Sequence, residues 1–352
     1  MTTRIYAGAA HWTTEGRTRH TGGIYRQTAG DDRWERLRGG LPEDAEVRAI
    51  AIHPRDPRVI YAGTQHGPYK SPDSGDTWKS LGFPDADMAV WSLAFDPRNP
   101  DVLYAGTAPA AVYRSADGGG TWRRLDALKA PGRVKMSFPC RVTRLAIDPT
   151  YPDEIYAALE VDGVLRSPDG GATWEDVSRD LVNLAERPHL KSRIVSDTEN
   201  EGMLDSHALC VSSAMPRTVF LALRMGLFRS ADRGGTWEDM EIGRFSPLTY
   251  ARDVRVSPHD PRTLVACLSP AARSEDGSLY QSDDVGRSWR RIDHGVKARA
   301  TMMSVALHPS DPRQVYGATR CGQVFGTQDG GRTWGESRLP EGTQDVYAVA
   351  CA

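Results

Sequence analysis

The chain has 352 residues, of which 39% are hydrophobic and 26% charged, with 44 basic side chains against 46 acidic ones. So close a balance gives no overall field to attract nucleic acid or an anionic membrane, and no apolar run approaches the ~20 residues that cross a bilayer. The five cysteines, Cys140, Cys210, Cys267, Cys321 and Cys351, are scattered without CxxC spacing, which argues against a disulfide framework and a structural zinc site.

The first segment, MTTRIYAGAA, is β-like and lacks the basic, apolar and small-residue regions of a secretory signal, so the cytoplasm is the expected compartment. A long polar loop at 10–23 carries His11, Trp12 and His20, and the string QTAGDDRW follows at 27–34. The pattern becomes legible at residues 46–82. There β-branched and aromatic runs alternate with Gly, Pro and Asp: strand A (VRAIAI), a turn with paired prolines, strand B (VIYAGT), a loop with His66, strand C (PYKS), a second turn and strand D (TWKSL). Four short antiparallel strands in ~45 residues make one propeller blade.

The unit returns at 90–126, 141–180, 206–241, 251–293 and 301–339. Its second turn, SPDSGDTW at 71–78, recurs as SADGGGTW at 115–122, SPDGGATW at 167–174, SADRGGTW at 230–237, SDDVGRSW at 282–289 and TQDGGRTW at 327–334. QTAGDDRW keeps Tyr25 and Trp34 at the right spacing and has lost the Asp and Gly. In such a turn the carboxylate accepts backbone N–H groups, Gly supplies positive φ and Trp packs between blades. Asp73, Asp117, Asp169, Asp232, Asp284 and Asp329 are therefore read as structural.

The last segment, DVYAVACA at 345–352, matches strand A, whereas RIYAGAA near the N-terminus matches strand B. The expectation is an all-β, seven-bladed propeller spanning 1–352 as one domain. Its first blade, about 1–40, is completed by 344–352, which removes an exposed edge and locks the ring.

This pattern resembles the Asp-box (BNR) propeller families, among them sialidases, xyloglucan-type glycoside hydrolases, sortilin-like receptors and photosystem II assembly factors. The resemblance covers essentially the whole chain. Its motif is a structural turn shared by unrelated chemistries, so it implies a fold and no single function.

In this blade order the A–B and C–D turns share one face, while the B–C loops and D–A connections share the other. The long segments at 10–23, 126–141, 179–205 and 269–278 all fall on the second face, which is expected to carry the function. The stretch from Leu181 to Ser206 is the candidate lid. His53, His259 and His308 belong to A–B turns, whereas His11, His66 and His207 are candidate ligands for a divalent metal, against the reading that they are scattered loop residues. His66, His207, Asp253 and Glu160 are the candidate catalytic groups. Trp12 and Trp91 offer plates for a sugar or aromatic ring, or plug the channel mouth. Arg48, Arg144, Arg252 and Arg320, with Tyr347, form a set that can bind a carboxylate or phosphate, as the sialidase resemblance implies. Sialidases are six-bladed, however, and no glutamate partner for Tyr347 can be assigned.

Three functions follow. The first is a small-ligand binding protein or hydrolase-like enzyme for a carbohydrate-like or carboxylate-bearing ligand, seated over the channel. Hydrolysis would need two carboxylates ~5.5 Å or ~6.5–9.5 Å apart, drawn from Asp205, Asp253, Glu160 and Asp345. The second is a scaffold or assembly factor holding a protein segment, and the third is a His-ligated metal-dependent enzyme. The expected partner is a small molecule, a glycan or a protein segment, not nucleic acid or membrane, and the expected state is a monomer.

Overall fold

A computed structural model of the chain describes residues 2–10, 22–85, 88–194, 196 and 198–352. These form seven four-stranded antiparallel sheets. The inner strands are Val346–Cys351, Val47–Ile52, Ala89–Phe95, Val142–Ile147, Ser206–Val211, Tyr250–Val256 and Met302–Leu307, which we number as blades 1 to 7. Each inner strand touches the next, and the seventh touches the first, so the sheets form a closed ring. Closure is made where expected: Ile5 pairs with Cys351 and Ala7 with Val349, which joins the last strand of the chain to Arg4–Ala9.

Close blade packing explains the recurring Tyr-Ala-Gly of strand B. That strand is buried along its length in blades 2 and 3, because it lies between strands A and C of its own sheet and packs against the next inner strand. At Gly106 an added Cβ would sit 2.4 Å from Ser92 Oγ and 2.5 Å from Val142 Cγ1. No side chain fits there. The preceding tyrosine stitches neighbours together: Tyr6 Oη donates to the Ser74 carbonyl at 3.1 Å and Tyr61 Oη to that of Gly118 at 2.9 Å, each reaching the Asp-box turn of the next blade.

The six Asp boxes share one hydrogen-bond scheme, seen in blade 5. Asp232 Oδ1 accepts the Thr236 N–H at 2.8 Å and Oδ2 accepts the Thr236 hydroxyl at 2.8 Å, while Gly234, at φ 95°, donates its N–H to Ser230 Oγ at 2.6 Å. These bonds outweigh burial and hold the Asp232 carboxyl below its ordinary range. The box serine is the buried member, with Ser230 only 1% exposed. The repeat pattern alone does not reveal this role, because the serine hydroxyl's partner is a backbone N–H and not a residue type the pattern displays. The tryptophan packs toward the preceding blade: Trp237 Nε1 donates to the Val177 carbonyl at 2.8 Å and Trp334 Nε1 to that of Ile292 at 3.0 Å.

Each Asp-box turn also bonds its own A–B turn, as in Gly118 N–H to the Asp101 carbonyl at 2.8 Å and Gly330 N–H to that of Arg313 at 3.0 Å. Both turn types therefore occupy one face. His53 and His308 are turn residues, each accepting two backbone N–H groups on Nδ1. On the other face, the helical parts of the 179–205 connection are packed rather than loose. Helix Arg179–Leu184 and the turn Glu201–Leu204 bury Leu181, Leu184, Met203 and Leu204 against blades 4 and 5, and the Ser196 N–H donates to the fully buried Glu201 carboxylate at 2.8 Å. Among the described residues, no helix is long and apolar enough to cross a membrane, and the five cysteines form no disulfide.

Candidate functional site

Every inner strand carries a β-bulge at the same level. Pairing steps from Val47 to Ala49, Val90 to Ser92, Val142 to Arg144, Ser206 to Ala208, Ala251 to Asp253, Met302 to Ser304 and Val346 to Ala348. The residues left over are Arg48, Trp91, Thr143, His207, Arg252, Met303 and Tyr347. A bulge frees one residue from the ladder and re-aims its side chain. All seven line one narrow cavity of about 50 Å³ at the channel mouth. Five of them, Arg48, Trp91, His207, Arg252 and Tyr347, are among the residues singled out from the sequence; Thr143 and Met303 are not, because neither is conspicuous without the register.

The ring is strongly asymmetric. Trp91 is not an open plate: the Arg141 guanidinium lies 4.3 Å from its ring centroid, that of Arg48 lies 5.0 Å away, and Tyr347 meets it edge-on at 5.2 Å. Arg48 is itself paired with Glu46. Arg141 also pairs with Glu160 at 3.0 Å, and burial pushes the Glu160 carboxyl up despite that partner.

On the opposite side, His207 donates Nδ1–H to the Ala251 carbonyl at 2.7 Å, which leaves Nε2 as the acceptor in the neutral ring. Tyr250 Oη lies 3.3 Å from Nε2, and Asp205 Oδ2 is also 3.3 Å away. Burial lowers the imidazole pKa against the pull of Asp205. The Asp205 carboxyl is held low, since His207, Arg252 and Arg224 outweigh its burial.

Arg252 has the least local compensation. Its Nη1 donates to Tyr250 Oη at 3.4 Å, and among the described residues no carboxylate lies within 4 Å of it. Burial opposes its charge, but the fields of Tyr250, Glu160, Tyr347 and Asp205 keep it firmly protonated.

One residue below the ring, Arg144 crosses the channel to Asp253, with Nη2 3.1 Å from Oδ1. Asp253 also accepts from Arg255 Nε at 3.1 Å, Ser304 Oγ at 3.2 Å, the Val305 N–H at 3.2 Å and the Val254 N–H at 3.0 Å. This carboxylate is completely buried and occupied on both oxygens. Burial and the neighbouring Arg255 lower the Arg144 guanidinium to about 10. Arg320 sits at the rim, where Nε donates to Asp345 at 2.6 Å.

Of the candidate metal ligands, the two described histidines lie in different surroundings. His66 is half-exposed on its loop, 3.3 Å from Asp44, while His207 is buried in the channel; His11 and Trp12 lie outside the described residues. Among the described residues, no group of three or more His, Cys, Asp and Glu side chains is gathered to hold a metal ion.

A family model for the BNR-Asp box repeat matches residues 227–240. The chain is 25% identical over 292 residues to a xyloglucanase of Hypocrea jecorina, covering 77% of this chain and 30% of that protein. It is 29% identical over 311 residues to the xyloglucanase Xgh74A of Acetivibrio thermocellus, covering 82% and 31%. The chain thus spans under a third of the length of these curated relatives. Among solved structures, a GH74 enzyme of Niastella koreensis superposes with a TM-score of 0.61 at 18% identity, covering 85% of this chain and 46% of that one. YCF48 bound to D1 peptide gives 0.56 at 16% identity, covering 88% and 86%. At these identities the superpositions speak to fold alone. Six Asp boxes in the sequence and seven closed blades in the structure fit the BNR/Asp-box β-propeller superfamily, without a specific member.

Proposed function

We propose that the chain binds a carboxylate-bearing, carbohydrate-like ligand at the bulge-ring mouth, with Arg252 as the anion contact. The observation that carries this reading is the charge pairing there. Arg48, Arg141 and Arg320 each have a carboxylate partner, and Arg144 shares Asp253 with Arg255, whereas Arg252 has none within 4 Å among the described residues. A guanidinium held by Tyr250 and short of a partner selects a planar anion. The cavity of about 50 Å³ admits the acidic group, and the body of the ligand rests outside on the rim. The xyloglucanase relatives support a carbohydrate-like body.

Binding is favoured over hydrolysis because the candidate carboxylates are already engaged: Asp253 by five donors, Glu160 by Arg141 and Asp345 by Arg320. Glu160 pushed up and Asp205 held low do show the divergence an acid–base pair needs. A xyloglucan reducing-end assay on the wild type and Glu160→Gln therefore belongs beside the binding test.

A second reading, a scaffold for a protein segment, draws on one observation: YCF48, solved with a bound peptide, is matched along 86% of its length, unlike the longer xyloglucanases.

The test is calorimetric titration with glucuronate and with glucose. Glucuronate is expected to bind at least about tenfold more tightly, a margin that Arg252→Gln removes and that equals about 1.4 kcal/mol. Equal affinity for acid and neutral sugar, or an unchanged preference in the variant, would sink the proposal.

A further inference from the structure

The larger opening lies at the other end of the channel, on the face of uniform turns. There the ends of the inner strands of blades 1, 2, 6 and 7, with their proline turns, enclose about 500 Å³. Its walls include Ile50, Ile52, Val256, Val305, Leu307 and Val349. Such a volume is that of a small-molecule pocket. No Asp or Glu lines it, and Arg255 is its one permanently charged lining residue among the described residues. His53 is at the rim with Nδ1 taken by the N–H groups of Arg55 and Asp56.

Arg255 is only half used. Its Nε donates to Asp253 at 3.1 Å, and among the described residues neither terminal nitrogen has a hydrogen-bond partner. Two guanidinium ions, those of Arg144 and Arg255, share the single Asp253 carboxylate, so this layer of the channel carries an excess positive charge. Arg255, Ile50 and Val349 belong to the walls of both cavities, whereas Arg144 reaches only the ring cavity.

We propose that this lower mouth is a second ligand site, taking a small amphipathic monocarboxylate whose carboxylate meets the free edge of Arg255 and whose apolar body lies against the aliphatic walls. A planar carboxylate matches two parallel N–H donors, and one net charge neutralises the excess without a second anion to desolvate. The apolar body follows from the aliphatic side chains at the strand ends that line the opening, among which Ile50, Ile52, Val256 and Leu307 are only partly buried in the clusters between blades. This site is independent of Arg252 and of the function proposed for the other mouth.

The test is calorimetric titration of the full chain with decanoate and with decanamide, its neutral counterpart. Decanoate is expected to bind at least about tenfold more tightly. Arg255→Gln removes that preference, Ile52→Trp fills the cavity and weakens decanoate about tenfold or more, and Arg252→Gln leaves its affinity within about twofold. Equal binding of acid and amide, indifference to Ile52→Trp, or loss in Arg252→Gln overturns the proposal. Should Arg255→Gln fail to fold, Ile52→Trp and Leu307→Trp, which approach the cavity from different blades, decide the matter.

Discussion

Arg144 and Asp253 meet inside the channel, Nη2 to Oδ1 at 3.1 Å, although 109 residues separate them in the chain. The contact joins blade 4 to blade 6 without passing through the blade between, and Asp253 extends it to blade 7 through Ser304 and Val305. Asp253 thereby acts as a hub for one side of the ring.

Replacing Asp253 with Ala removes a fully buried carboxylate and leaves two partly exposed guanidinium ions in the channel without their shared counter-charge. Because solvent reaches both cations, the loss is expected below the roughly 3–5 kcal/mol of a fully buried broken pair. Asp253→Asn, which retains an acceptor oxygen, is expected to lose less. Urea denaturation of both variants orders them, and equal stability to wild type would remove Asp253 from its hub role.

Within the Asp box, the serine is expected to matter more than its neighbour's prominence in the sequence implies. Ser230→Ala strands the buried Gly234 N–H, at about 1–3 kcal/mol. Asp232 is largely exposed to solvent, so water replaces part of what Asp232→Ala removes and the loss is smaller. Denaturation midpoints in the opposite order would refute this ranking.

His207 is held neutral by burial, below the ordinary imidazole value of 6.5. The unfolded chain then binds more protons than the native one between the folded value and 6.5, so stability rises with pH across that window and is lost as pH falls through it. Glu160, raised above 4.5 by burial, has the opposite sign: its contribution is present at low pH and fades as pH rises through its folded value. His207→Gln is expected to remove the rising limb just below 6.5, and Glu160→Gln the falling one. Melting temperatures taken from pH 4 to 8 separate them, and a wild-type profile in either variant would contradict the assignment.

Gly106→Val tests the close approach of adjacent blades. Its Cβ would lie 2.4 Å from Ser92 Oγ and 2.5 Å from Val142 Cγ1, both on buried inner strands. Overpacking of this kind costs at least about 1–3 kcal/mol. Gly82→Ala, on an open surface with nothing within 4 Å, carries only the strain of its φ of 59° and is the milder change. Comparable melting temperatures for the two variants would show that the blades can separate to accept the side chain.

The architecture was legible because it is repeated. Six of the blades satisfy their ladders with local hairpins and their own Asp-box turns, so strand order and turn face follow from short-range pattern, and closure by DVYAVACA follows from its match to strand A. The site was legible only in part. Arg48, Trp91, His207, Arg252 and Tyr347 stand out as residues the repeat does not require, and their place near the start of an inner strand puts them at one mouth. What each does there is decided by residues distant in the chain. Arg141 covers Trp91, Ala251 fixes the His207 tautomer, Arg144 occupies Asp253, and His66 finds Asp44 on the rim instead of His207. The seven bulges and the aliphatic cavity at the turn face are likewise products of register and ring geometry. Sequence by itself determined the blades, since their hydrogen bonds are local. Only the tertiary structure decided which charges remain unpaired, because partners across the channel come from different blades and are set by closure of the ring.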